Sequence, residues 1–124
     1  MSNASNAIKG VIIAGVISLL CLAPPIVHFV TGPLGPAIGG YVAGTRLRLT
    51  GGQAAFVGLI LGIVEGVLTP WLFVDVFHLI PDFSTPILVF FGAFVALYVG
   101  LLSGAAAWYG GNAVRNDDAA EGAD

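Results

Sequence analysis

A single carboxylate, Glu65, stands inside the apolar run GGQAAFVGLILGIVEGVLTPWLF that extends from Gly51 to Phe73. An ionised acid near the middle of a membrane span costs at least about 2.5 kcal/mol, so it turns toward protein, a partner or water. The chemistry it offers there is uptake of a proton or an ion. The bland alternative is a carboxyl hydrogen-bonded to a backbone carbonyl, or to Ser18 or Ser103 of a neighbouring helix, and Glu65→Gln separates the two. A second group of polar residues, His28, His78 and Asp82 with Asp75 nearby, falls on the expected outer side of the membrane. They either converge into an N/O metal site or remain separate interfacial side chains, since their spacing matches no compact metal motif. No nucleophile stands at a recognisable spacing from a base. GxGxxG-like matches in glycine-rich helices carry no weight without a preceding strand, so no enzyme and no cofactor is expected.

The elements that must position these groups are membrane helices. The chain has 124 residues, 57% hydrophobic and 9% charged, too apolar for an ordinary soluble domain. The net charge is -3, and the acids Asp117, Asp118, Glu121 and Asp124 gather after the last apolar run, which argues against nucleic-acid binding. The single cysteine, Cys21, lies in an apolar run as a small packing residue. Leu20 before Cys21 and Pro24 after Ala23 speak against lipoprotein and cleavable-signal readings, so the first segment is expected to stay in the mature protein.

Hydropathy and proline punctuation divide the chain into a polar N-terminus (1–6), four helices (7–23, 33–49, 51–73 and 86–109) and an acidic tail (110–124). Pro24 and Pro25 end the first helix. Pro33 opens the second, which at about 17 residues, roughly 25 Å, is either a thin span or a re-entrant hairpin. Gly110 and Gly111 are expected to stop the fourth. Four spans put Lys9, Arg46, Arg48 and Arg115 on one side and Asp75 and Asp82 on the other, so the positive-inside rule makes both termini cytoplasmic at the plasma membrane. A re-entrant second segment would set Lys9 against the arginines. The long helix, proline-marked turn and glycine-rich return of each half echo one another, as a duplication or any pair of membrane hairpins would.

Each helix also carries small residues at four-residue spacing. Gly58, Gly62 and Gly66 form such a ladder, with Glu65 on its edge and Phe56, Ile60, Ile63 and Val67 pointing away. Gly35 with Gly39, Gly40 with Gly44, and Gly92, Ala96 and Gly100 repeat the spacing, which lets membrane helices approach closely. The expected fold class is therefore all-α, a four-helix integral membrane bundle.

The stretch PPIVHFVTGPLGPAIGGYVAGTRLRLTGGQAAFVGLILG, through Gly35, Pro36, Gly39, Gly40, Tyr41, Ala43 and Gly44, resembles a family of short archaeal membrane proteins catalogued only as a domain of unknown function. The low lysine count and acidic tail resemble proteins of salt-adapted archaea. This resemblance implies architecture and no activity. The expected role is a structural or accessory subunit, lipid-embedded, docking a smooth helix face onto itself or a larger membrane complex. The alternative is a small homo-oligomeric channel or carrier, for an ion or small solute, in which Glu65 from several protomers lines the path.

Overall fold

The computed structural model describes residues 3–22, 28–72, 74 and 85–122. Their backbone forms four helices, α1 (Asn3–Leu22), α2 (His28–Leu47), α3 (Gly51–Trp71) and α4 (Thr85–Glu121). α1, α3 and α4 are long and apolar enough to cross a membrane. α2 has 20 residues, about 30 Å.

Three helices differ from the sequence-based expectation, the first because it already starts at Asn3 rather than at residue 7. The second helix starts at His28 rather than at residue 33, so Pro33 and Pro36 lie inside it. Both prolines follow a glycine, Gly32 and Gly35, and a residue without a Cβ relieves the clash that normally bars the helical region before proline. The fourth helix does not stop at Gly110–Gly111 but continues to Glu121, so most of the expected acidic tail is helical. Those glycines are buried against α2 and the α2–α3 turn, where a Cβ on Gly110 would lie 2.6 Å from the Tyr41 carbonyl oxygen and one on Gly111 would strike the Leu49 carbonyl. Their role is close approach, and helical geometry persists because the neighbouring helix holds it.

The helices meet in the ring order α1, α2, α4, α3, with little contact across either diagonal. Gly39 faces Ala14 and Gly35 faces Ser18, so α1 and α2 are antiparallel. Gly40 faces Ser103 and Gly44 faces Ala107, so α2 runs parallel to α4 along its length. α1 and α3 lie side by side in parallel, Gly10 on Val57 and Gly15 on Leu61. A twofold axis along the bundle would place α1 opposite α3, so no such axis relates the two hairpins. The core is small: Ala14, Ala43, Leu49, Ala54, Val57, Leu61, Val99 and Ala107. Around it stand exposed large apolar side chains, among them Leu20, Val67, Phe90 and Leu101, a surface suited to lipid rather than water.

The end of the bundle carrying the α2–α3 turn is tightly knit. Arg48 takes φ 52°, and the Leu49 amide donates to the Gly44 carbonyl at 3.2 Å, a Schellman-type helix stop. The Thr50 amide donates to Gln53 Oε1 at 2.9 Å and opens α3. The extension of α4 then clamps the turn, Arg115 Nη1 donating to the carbonyls of Arg48 at 3.1 Å and Leu49 at 2.7 Å. Nη2 of the same side chain donates to Asn112 Oδ1. Because Leu49 is wholly buried, Arg115→Ala is expected to cost about 2 kcal/mol, with Arg115→Lys recovering part of it, as read by thermal unfolding in detergent. The exposed Arg48 to Asp118 ion pair at 2.7 Å contributes under about 1 kcal/mol.

Candidate functional site: the glycine interfaces and the interior carboxylate

The ladder on α3 packs against α4. Antiparallel pairing sets Gly58 on Gly100 and Gly104, Gly62 on Ala96 and Gly100, and Gly66 on Gly92 and Ala96. A methyl on Gly66 would lie 2.6 Å from the Ala96 Cβ and 2.7 Å from the Gly92 carbonyl oxygen. Pro70 carries no amide hydrogen, so the Gly66 carbonyl lacks its helical donor. That oxygen rests against Gly92, where a Cβ would lie 2.5 Å away, and the missing side chain gives it room. Every glycine and alanine named above as a packing residue thus meets another helix of the same chain; Gly35, on the α1 side of α2, would bring a Cβ to 3.2 Å from Cys21 Cβ.

One surface remains open beside that contact. Ala55, Leu59 and Ile63 of α3 and Leu97, Leu101 and Ala105 of α4 wall an apolar groove of about 580 Å³ floored by Gly58, Gly62, Gly100 and Gly104 and ended by Trp108. Its walls are exposed, with Leu59 at 61% and Leu101 at 70%.

Glu65 lies on the other side of the glycine ladder. At about 100° per residue it falls between Leu61, which meets α1, and Gly62, which meets α4, and it continues the stripe of Val57 and Leu61. It therefore projects toward the bundle interior and is partly buried; the sequence placed it only on the edge of the small face. Ser103 is fully buried and donates to the Val99 carbonyl at 2.7 Å, and Ser18 is 3% exposed with an unpartnered Oγ.

His78, Asp82 and Asp75 lie outside the described residues, and of His28 only the backbone, at the first residue of α2, is described. Among the described residues no cluster of three His, Cys, Asp or Glu stands ready for a metal. All four basic residues sit at one end of the bundle: Arg48 and Arg115 at the α2–α3 turn, Arg46 in the last turn of α2, and Lys9 beside Gly10, which touches Leu49. Trp108 lies against Gly51 at the same end, and Tyr41 and Tyr109 pair at 6.3 Å between ring centroids.

The Tyr98 hydroxyl, donating to the Pro33 carbonyl at 2.7 Å, is a contact that sequence reasoning missed. A tyrosine in an apolar helix facing a proline-interrupted one was the available signal. Comparison with known proteins shows that the model of a family of unknown function matches residues 4–113. No curated protein and no solved structure matches.

Proposed function

The chain belongs to the DUF5518 family, a family of unknown function, and from that premise we propose that it is a structural or accessory subunit of the cell membrane. It crosses the bilayer four times with both termini in the cytoplasm. It docks onto a second copy of itself or a larger membrane complex through the α3–α4 groove, and this reading gives it no catalytic role.

The observation that carries the reading is the groove. The smooth faces of α2, α3 and α4 are consumed inside the chain, yet one glycine-floored trough stays open between exposed Leu59 and Leu101. A second helix laid there gains van der Waals contact along a smooth floor, the interaction that holds membrane helices together. Packing of α2 between α1 and α4 supports a fourth span, and the gathering of Lys9, Arg46, Arg48 and Arg115 at one end supports the orientation. One lysine against three arginines, with an acidic extension, accords with an origin in salt-adapted archaea.

A photo-crosslinking residue at Ile63 or Ala105, introduced into the chain in its own membrane, tests the docking. Adducts with the chain itself mean self-association, and adducts with one foreign polypeptide mean an accessory subunit. Adducts with lipid alone overturn the reading.

A second reading, a small homo-oligomeric channel or carrier, is favoured by Glu65 on the stripe of Val57 and Leu61. Because Glu65 is turned away from the groove, such a path runs inside each protomer rather than between protomers.

A further inference from the structure

Two serines are buried in the bundle and are satisfied differently. Ser103 donates to the carbonyl one turn back, the common solution for a hydroxyl in an apolar helix. Ser18 does not, and its Oγ, on a residue 3% exposed, has no hydrogen-bond partner. A hydroxyl removed from water without compensation points to something that occupies its lone pairs.

Helix phase aims that hydroxyl at the interior carboxylate. On α1, Ala14 meets Gly39 of α2 and Gly15 meets Leu61 of α3, and Ser18 projects between those directions. Glu65 projects likewise between the α1-facing and α4-facing sides of α3. The parallel register that sets Gly10 on Val57 and Gly15 on Leu61 brings Ser18 and Glu65 level one turn further along both helices. Toward the α2–α3 turn, the interior is filled by buried Ala14, Val57, Leu61 and Val99.

We propose that Glu65 and Ser18 form an internal oxygen site for a hard cation, a proton or a sodium-sized ion, closed toward the α2–α3 turn by that apolar layer. The carboxylate supplies the charge and the Ser18 oxygen a neutral donor, the oxygen ligands that hard cations take. The site deepens the channel or carrier reading and rests on the interior of one chain. Its failure is therefore distinguishable from a failure of groove docking. Among the described residues, the other titratable groups in this half of the bundle are Cys21 on α1, His28 at the first residue of α2, and Tyr98 on α4, whose hydroxyl already serves Pro33.

Dicyclohexylcarbodiimide, an apolar reagent, tests the site on the full chain in mild detergent. The carboxyl oxygen bonds to the carbodiimide carbon while the carboxyl proton passes to nitrogen, and rearrangement leaves a stable N-acylurea read by peptide mass. The expected result is an adduct on Glu65, absent in Glu65→Gln. Its rate falls at least ten-fold either with added sodium at fixed pH, identifying a sodium site, or only with rising pH, identifying a proton site. Ser18→Ala, which removes one oxygen without adding bulk, is expected to shift the sodium concentration, or the proton concentration, at which the rate is half-maximal by three-fold or more. No adduct at Glu65, a rate indifferent to both sodium and pH, or an unchanged half-point in Ser18→Ala overturns the proposal.

Discussion

Gly40→Ala combined with Gly44→Ala is expected to destabilise the bundle severely. Each new methyl would drive into a backbone carbonyl of α4, that of Ser103 at one site and of Ala107 at the other, and a carbonyl held in a helix cannot swing aside as a side chain can. Overpacking costs about 1–3 kcal/mol per site, so the pair removes about 2–6 kcal/mol. That is a large share of the 5–15 kcal/mol or so by which folded chains exceed unfolded ones. Titration into a denaturing detergent, followed by circular dichroism, should show the midpoint collapse for the pair. Gly52→Ala is the matched control. Beyond its own turn of helix nothing comes within 4 Å of the added methyl, so stability should hold or rise slightly through helix propensity.

The second large effect concerns association. Ala55→Leu with Ala105→Leu fills the α3–α4 groove from two exposed positions, leaving the packing among the four helices untouched. The folded chain is expected to keep its unfolding midpoint while its affinity for its partner falls by about a hundred-fold or more, roughly 2.7 kcal/mol. Förster transfer between labelled copies, diluted into increasing amounts of detergent, measures that change for self-association. A variant that associates as wild type removes the groove from the account.

These two predictions show what was legible in the residue pattern. The ladders Gly35/Gly39, Gly40/Gly44 and Gly58/Gly62/Gly66 could be read directly, because four-residue spacing of small side chains has one physical use in an apolar helix. The prolines at 24 and 25 likewise fixed the end of α1 to within a residue of Leu22. The partner of each face could not be read. Nothing local says that α2 packs beside α4 rather than α3, since that depends on how all four surfaces fit together.

Gly110 and Gly111 misled for a related reason. A glycine pair before a polar stretch reads as a helix stop, yet the close approach of Tyr41 and Leu49 carbonyls required glycine there and kept the helix going. Pro33 read as a helix start because its allowance inside α2 depends on Gly32 and on neighbouring helices. Glu65 was visible as the one acid in an apolar run. Its alignment with Ser18 needed the register of α1 against α3, which no single helix encodes.

Whether the chain docks onto a partner is decided by the intact mass of the particle extracted from its own membranes in mild detergent. The expected result is either a symmetric multiple of the 12.7 kDa chain, or a larger mass containing other polypeptides. A particle carrying one 12.7 kDa chain and only lipid and detergent would contradict it.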